Sequence, residues 1–435
     1  MNKFEEYNSC IKFLFGLERI GIKYSLKNIR TLLNSVGNPQ NNLKTIHIAG
    51  TNGKGSVASI TNSILIEYKF NCGLYTSPHI KDFRERILVN GRFIDKSYVI
   101  DFTNEIFKLI EKISPSFFEV TTALAFKYFS DKKVDFAIIE AGLGGRLDST
   151  NILKPILTVI TGISIDHTEY LGNTIQRISE EKGGIIKRNT PVILGKLNKH
   201  AYKVLTKIAK KRNAEIIDST QGNKIIIKQK FENGFYFDLK MNNFKLDNTF
   251  FPFIGDFQKI NLLTAFSTIN KLFNICNLKF CEKQIVNGLK KLKRNSRFYG
   301  RFEKISENPK IVIDVSHNLE GIKNIKNNLK YFNFNRLFII FAMMSDKNYR
   351  ACIKELEKLN SKIIITKPSY KRAIDPNEMI KNVKDLHNFR IINNPKDAFE
   401  YANKSIKRGD MILVTGSFFL ISDILKVFKN KYNYS

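Results

Sequence analysis

The sequence predicts an α/β protein with two domains, a large N-terminal domain built on a parallel sheet and a smaller, Rossmann-like C-terminal domain. The chain has 435 residues. A single hydrophobic core of ordinary size does not extend over so many residues, so more than one domain is expected. At residues 45–68 an apolar run, a glycine-rich turn and a helical pattern follow one another. Five apolar runs between residues 311 and 414 alternate with helical stretches, which is typical of βαβ units. We therefore predict domains at 1–296 and 297–435.

The composition favours a cytoplasmic protein without a membrane partner. Hydrophobic residues make up 43% of the chain, enough for globular cores, and no run reaches 18 apolar residues. The first ten residues lack the apolar core of a signal peptide. The five cysteines show neither metal-binding spacing nor a disulfide framework.

The net charge of +31 raises the question of a nucleic-acid partner. Lysine and arginine are spread along the whole chain, and no basic arm or zinc motif concentrates them. We therefore expect no nucleic-acid partner. A positive field also attracts anionic substrates such as ATP and polycarboxylates.

The segment 46–68 predicts a phosphate-binding loop. A buried strand at 46–49 precedes a turn with three glycines, Lys54 and Ser56, and a helix follows. Glycines let backbone N–H groups approach an anion, the helix N-terminus adds further donors, and a lysine bridges the outer phosphates. The alternative is a glycine turn with a solvated Lys54. We predict that the nucleotide contacts are Asn52, Gly53, Lys54, Gly55 and Ser56, with Ser56 also ligating a metal ion.

Several polar residues follow predicted strands, where parallel sheets bind ligands. Glu140 ends the strand predicted at 134–140, and a hard cation beside phosphates requires such a carboxylate. His167 follows the strand at 156–160 and is either a metal ligand or a hydrogen-bonded structural histidine. Ser77 follows a strand that ends near Tyr75, where a helix cap is the alternative role. Alternation between residues 187 and 250 predicts antiparallel strands.

The loop at 50–56 resembles that of the Mur ligase superfamily. The segments SPSFFEVTTALAF (114–126) and EAGLGGRLDSTN (140–151) favour its folylpolyglutamate synthase and dihydrofolate synthase branch. Similar motifs occur at six places, nearly from end to end of the chain. The resemblance implies an ATP-dependent ligase that joins glutamate to dihydropteroate, to folate or to both, through an acyl phosphate. It also implies ATP and two magnesium ions as cofactors, and we expect a monomer.

The resemblance also implies roles for individual residues. Magnesium ligands would be Ser56, Ser77, Glu140, His167 and a carbamylated Lys182. Further ATP contacts would be Asn261, Arg301 and Asp314, and the catalytic residues would be Lys54, Lys182 and His317. The sequence departs from the family pattern at Phe257, where the family has histidine, at Gly183, and at Val315–Ser316. For Lys182 the alternative is an ordinary surface lysine, and for Asn261 it is a helix-entry asparagine.

Two other functions remain open from the sequence. A cell-wall ligase of the UDP-muramoyl type would share the loop and the reaction. A basic ATPase stimulated by nucleic acid belongs to a different class, and the salt dependence of nucleic-acid binding would separate it.

Overall fold

The computed structural model describes residues 3–21, 25–381, 383 and 386–432. Its first sheet has eight strands: β1 (Thr45–Ala49), β2 (Cys72–Tyr75), β3 (Ile87–Val89), β4 (Arg92–Phe93), β5 (Phe136–Glu140), β6 (Leu157–Ile160), β7 (Val192–Leu194) and β8 (Ile216–Asp218). Their order is β4-β3-β2-β5-β1-β6-β7-β8. The six strands from β2 to β8 along this order are parallel, whereas β3 and β4 pair antiparallel at one edge. The predicted parallel sheet is confirmed, with an added antiparallel edge.

Helices cover both faces of this sheet. They are α1 (Tyr7–Gly16), α2 (Lys27–Ser35), α3 (Lys54–Glu67), α4 (Lys96–Ile113), α5 (Phe117–Asp131), α6 (Thr168–Leu171), α7 (Ile175–Gly183) and α8 (Lys199–Lys211). Strand β1 is buried along its whole length, and so is most of α3. The strand and helix that carry the glycine turn therefore belong to the core, which gives the turn a rigid base.

The segment after β8 forms the predicted antiparallel strands. They are β9 (Lys224–Phe231), β10 (Gly234–Lys240) and β11 (Lys245–Phe251), and the helices α9 (Phe257–Cys276), α10 (Glu282–Lys290) and α11 (Leu292–Ser296) follow. Phenylalanines of β10 and β11 share one core cluster with α3 and α9. The small sheet packs against α9, where the ring of Phe237 lies 6.4 Å from that of Phe266.

The C-terminal sheet has six strands: β12 (Glu303–Ser306), β13 (Lys310–Asp314), β14 (Leu337–Phe341), β15 (Ser361–Ile365), β16 (Phe389–Ile391) and β17 (Met411–Thr415). Their order is β12-β13-β17-β14-β15-β16, and all but β12 run parallel. The connecting helices are α12 (Leu319–Leu329), α13 (Tyr349–Leu356), α14 (Pro376–Ile380), α15 (Pro395–Ser405) and α16 (Phe418–Tyr432). The five parallel strands match the predicted series, while the short antiparallel β12 was missed. The boundary at residues 296 and 297 stays a prediction.

A hairpin tip joins the small sheet to the C-terminal sheet. Glu232, between β9 and β10, receives Lys304 Nζ and Lys310 Nζ, each at 2.6 Å. Both lysines lie on the first two strands of the C-terminal sheet. These ion pairs help fix the small sheet against the C-terminal sheet.

Candidate active site

The glycine turn between β1 and α3 has a backbone that only glycine adopts easily. Gly50 and Gly53 have φ angles of 154° and 85°, and a Cβ on Gly53 would collide with the side-chain oxygen of Asn261. The turn is held from outside, since Thr51 N–H donates to the carbonyl of Gly162 at 2.8 Å. The turn is therefore a preformed cradle at the N-terminus of a buried helix, suited to an anion.

Lys54 and Glu140 face each other across this cradle. Lys54 Nζ donates to the carbonyl of Thr51 at 3.2 Å and lies 3.9 Å from Glu140 Oε1. The side chain of Glu140 is 5% exposed, and its Oε2 accepts the backbone N–H of Ser77 at 3.2 Å. Burial raises the pKa of Glu140, while Lys54 opposes the shift. The glycine turn, the ammonium group of Lys54 and the carboxylate of Glu140 at the end of β5 thus lie close together.

The donor set here fits a magnesium ion. Ser56, Ser77 and Glu140 all line the same cavity and offer hydroxyl and carboxylate oxygens, the ligands of hard cations. Among the described residues there is no group of three or more His, Cys, Asp or Glu that could hold a metal ion. Mg²⁺ usually keeps several waters and substrate phosphates as ligands, so a site of few protein oxygens beside a phosphate cradle suits it.

His167 stands in a different part of the cavity. It follows β6 with a φ of 48°, and Lys347 Nζ lies 3.0 Å from its Nε2. Burial and Lys347 lower the pKa of His167 to about 4, although Asp166 raises it, so the ring is neutral at pH 7. The neutral ring is able to ligate a metal, but it lies against the ammonium group of Lys347.

Lys182 is buried against the phosphate cradle. Its Nζ donates to the carbonyl of Gly50 at 2.8 Å, and the residue is 5% exposed. Burial, together with the charge of Lys54, lowers the pKa of Lys182 to about 7. Lys182 is therefore no surface lysine, and much of it carries the neutral amine near pH 7.

The first two strands of the C-terminal sheet and the loops beside them contribute Arg301, Asp314 and His317. Asp314 ends β13 and its Oδ1 accepts the backbone N–H of Phe302 at 3.1 Å. The guanidinium of Arg301 stacks between the rings of Phe298 and Phe418, at 5.4 and 5.5 Å. The two rings thus hold the positive charge of Arg301 in a position that faces the phosphate cradle.

His317 has a defined tautomer. Its Nδ1 lies 2.9 Å from the carbonyl of Val315, so Nδ1 carries the proton and Nε2 is the free acceptor. Burial and the charge of Lys347 lower the pKa of His317 to about 4, although Asp166 raises it. The imidazole is thus neutral at pH 7 and able to accept a proton.

Contacts between the two sheets close one side of the site. Lys347 Nζ donates to Asp166 Oδ1 at 2.7 Å, and Asn318 Nδ2 donates to Asn52 Oδ1 at 3.0 Å. Asn52 in turn donates to Glu320 at 2.6 Å. Asp166, Lys347 and Asn318 were absent from the predicted site. Two of them had a local signal in the sequence that was not used. Asp166 directly precedes the predicted His167, and Asn318 directly follows the predicted His317.

A single cavity of about 700 Å³ collects all these groups. Every predicted site residue lines it: Asn52, Gly53, Lys54, Gly55, Ser56, Ser77, Glu140, His167, Lys182, Asn261, Arg301, Asp314 and His317. Asn261 is held by Gln258, whose Oε1 accepts its Nδ2–H at 2.9 Å. The structure thus brings the predicted residues into one space, with Glu140 and His167 in separate contact groups.

One part of the cavity wall, the aromatic end, is formed by phenylalanine rings. Phe117 and Phe118 line it, and the Arg86 guanidinium stacks on Phe117 at 5.2 Å. Arg86 Nε donates to His79 Nδ1 at 2.9 Å. Asp148, also on the wall, accepts the backbone N–H of Leu143 at 2.7 Å. Helical periodicity by itself does not separate a core face from a pocket wall, so the sequence pattern of this helix fits either role.

Fold and site define an ATP-binding enzyme of two α/β units with the reaction space between them. The family model of the Mur ligase middle domain matches residues 48–269, and the model of the Mur ligase glutamate ligase domain matches residues 300–418. The chain belongs to the Mur ligase family, and it is an ATP-dependent ligase.

Relatives and solved structures narrow the branch. The chain is 32% identical to the Bacillus subtilis dihydrofolate synthase/folylpolyglutamate synthase, over 98% of this chain and 100% of that protein. It is similar to the Mycobacterium tuberculosis folylpolyglutamate synthase complexed with ADP and AMPPCP, with a TM-score of 0.88, 26% identity and coverage of 97% and 99%. It is also similar to the Escherichia coli FolC protein in complex with DHPP and ADP, with a TM-score of 0.84, 25% identity and coverage of 97% and 98%. The predicted branch is confirmed.

One further prediction concerns the membrane. Within the described ranges, every helix is too short or too polar to cross a bilayer.

Proposed function

We propose that this ligase joins L-glutamate to dihydropteroate, to the γ-carboxylate of (tetrahydro)folate, or to both. The reaction runs through an acyl phosphate: ATP phosphorylates the acceptor carboxylate, and the amine of glutamate displaces phosphate. The observation that carries the proposal is the lining of the cavity. Its wall combines the phosphate cradle, Glu140 and Lys182 with the aromatic rings of Phe117 and Phe118.

At the cradle end, the backbone N–H groups of the glycine turn bind the phosphates of ATP. Lys54 contacts the carbonyl of Thr51 in the glycine turn. From there it bridges the outer phosphates and neutralises charge that develops on the transferring phosphoryl group. Asn261, Arg301 and Asp314 complete the nucleotide contacts. Arg301 is fixed between two rings before the nucleotide arrives, so its alignment costs little conformational entropy.

Residues along the middle of the cavity would hold magnesium. Ser56, Ser77 and Glu140 form one group, and His167 with Lys182 the other. Magnesium supplies charge neutralisation between the phosphates and the attacking carboxylate. Lys182 contributes as a ligand only after carbamylation, which the lowered pKa of its amine favours.

The aromatic end suits a flat heterocycle with a carboxylate tail. Phe117 and Phe118 provide ring faces, and the buried Asp148 accepts N–H donors at the wall. The E. coli protein solved with DHPP supports a pteridine in this family. The tail of such an acceptor would reach back toward Glu140 and the cradle, where phosphorylation takes place.

His317, the third predicted catalytic residue, lies between the nucleotide contacts and the contacts of Asp166. Its free Nε2 is the acceptor for the proton that the attacking amine loses. The contacts between Lys347 and Asp166 keep water out of this region, which protects the acyl phosphate from hydrolysis.

The proposal includes the setting of the enzyme. We infer a cytoplasmic monomer of two domains, 1–296 and 297–435, that acts on small molecules and not on nucleic acid. The scattered free cysteines support a reducing compartment. Size-exclusion chromatography with light scattering tests the monomer, and filter binding in a salt series tests the nucleic acid.

The central experiment is glutamate-dependent ADP release, with dihydropteroate and tetrahydrofolate offered separately. ADP release with at least one pteridine acceptor is expected, and mass spectrometry should show the product heavier by one glutamyl residue. A UDP-muramoyl acceptor serves as the control for the cell-wall alternative. Turnover with that acceptor alone would overturn the proposal.

A further inference from the structure

Asp346 lies on the cavity wall and has no place in the site described above. Its side chain is 11% exposed, and within the described part of the chain no hydrogen-bond donor reaches its buried Oδ1. Buried carboxylate oxygens are nearly always hydrogen-bonded, because an unpartnered one costs free energy. Such an oxygen beside a substrate cavity indicates a donor that arrives with the substrate.

Three basic side chains surround this carboxylate beyond hydrogen-bond distance. Arg372 Nη1 is 3.6 Å from Oδ1, while His167 Nδ1 and Lys347 Nζ are 3.9 and 4.0 Å from Oδ2. Lys347 instead donates to Asp166 at 2.7 Å, so its charge is already paired. Asp346 and Arg372 therefore remain as a loosely associated pair, and both line the cavity.

The backbone holds this pair in place. Asp346 follows β14 and Arg372 follows β15, two neighbouring parallel strands whose carboxyl ends point the same way. The N–H of Ser345 donates to the carbonyl of Arg372 at 2.9 Å, and Met344 forms a β-bridge with Ala373. The guanidinium side chain of Arg372 is 52% exposed, so it is available to a ligand. A carboxylate and a guanidinium are thus presented side by side from a rigid sheet edge.

We propose that Asp346 binds the amino group of the incoming amino acid and that Arg372 binds one of its carboxylates. The pair matches a zwitterion, since the ammonium group pairs with a carboxylate and a guanidinium forks onto a carboxylate. The inference rests on the proposed function and assigns the amino-acid subsite to these two side chains.

The assigned subsite accounts for the second half of the reaction. The ammonium group held at Asp346 first gives up one proton to a nearby acceptor such as the neutral His317, which frees the lone pair on nitrogen. That lone pair forms the C–N bond with the acyl carbon, and the C–O bond to the phosphate breaks. The electron pair of the C–O bond leaves with the phosphate, which takes up the second proton of the amine. Phosphorylation of the acceptor does not involve Asp346.

Because Asp346 takes part in amide formation and not in phosphorylation, the variant Asp346→Asn tests the inference. The Michaelis constant for glutamate should rise about 10- to 100-fold, because a charge-assisted hydrogen bond is lost. Hydroxylamine, offered in place of glutamate at saturating concentration, should still trap the acyl phosphate as a hydroxamate at the parent rate. Arg372→Ala should show the same division between the two assays, and Arg372→Lys should recover part of the glutamate affinity.

Two control variants test whether any change of charge has the same effect. Asp397→Asn removes a carboxylate on the exposed face of α15, and Lys371→Ala removes the exposed cation next to Arg372. Both should keep the parent values in both assays.

Two outcomes would overturn the inference. An unchanged Michaelis constant for glutamate in Asp346→Asn is one, and an equal loss of hydroxamate and amide formation is the other. If the unaltered enzyme releases no ADP with any pteridine acceptor, the proposed function itself fails, and this is seen before any variant is compared.

Discussion

The amine of Lys182 donates a hydrogen bond to the carbonyl of Gly50, at 2.8 Å, and so contacts the phosphate cradle directly. Its pKa is lowered to about 7 by burial and by the charge of Lys54. Carbamate forms only from the neutral amine, so this lysine meets the chemical condition for carbamylation. Conversion from a cation to an anion would supply the oxygen ligands that a two-metal site needs.

The first prediction follows from this contact. Lys182→Ala should be nearly inactive, and a short carboxylate in the buffer should restore part of the activity. Carbon-13 bicarbonate should give a carbamate signal in the parent and none in the variant. Lys187→Ala is the matched control, since the pKa of that lysine is also lowered, to about 8, mainly by burial. A parent protein without the signal would exclude the carbamate.

Lys54 carries the second prediction. Lys54→Ala should lower turnover by about 10²–10³ or more, because a preorganised charge contact on the phosphoryl group is lost. Circular dichroism should show an unchanged fold, since the ammonium group contacts a loop carbonyl at 3.2 Å and lies 3.9 Å from Glu140, without a place in the apolar core. The control is Lys199→Ala, at the exposed start of α8. Near-parental turnover in folded Lys54→Ala would remove this lysine from the phosphate site.

The third prediction separates the two proposed metal groups. Glu140→Gln and His167→Ala should each raise the magnesium concentration required for half-maximal activity. Isothermal titration of magnesium in the presence of an unreactive ATP analogue gives a second readout, independent of turnover. Glu169→Gln, an exposed carboxylate near His167, should titrate as the parent does. If both site variants match the parent, the metal ions bind elsewhere.

The fourth prediction concerns acid stability. His47 is fully buried on β1, and burial lowers its pKa to about 3. Below pH 6.5 the unfolded chain binds a proton here while the folded chain does not. The free energy of unfolding should therefore fall as the pH drops from 6.5 toward 3, by about 1.4 kcal/mol per pH unit for this group.

Urea unfolding at several pH values tests this slope. His47→Gln keeps an N–H donor for Thr150 and removes the titration, so its slope should be smaller by about one proton. His200→Gln, on the exposed surface of α8, should keep the full slope. Equal slopes in all three proteins would contradict the prediction.

Local sequence patterns were enough to predict the two sheets, the position of the cradle and the side chains that follow the strand ends. These features depend on local patterns: an apolar strand, glycines where a Cβ does not fit, and a helix that starts at Lys54. Parallel strands bring their carboxyl ends to one edge, so Glu140 was predictable as a wall residue from its place at a strand end, whereas the role of Asp314 came from the family resemblance.

Which residues meet across the two sheets could not be predicted from local patterns. Lys347 and Asp166 are 181 residues apart in the sequence, and their pairing depends on how the sheets dock. The lowered pKa of Lys182 and the unpartnered oxygen of Asp346 likewise come from burial by distant segments, which desolvates a group without leaving a local pattern. The short antiparallel strand β12 also escaped prediction, since its four residues are stabilised by their partner strand and not by their own sequence.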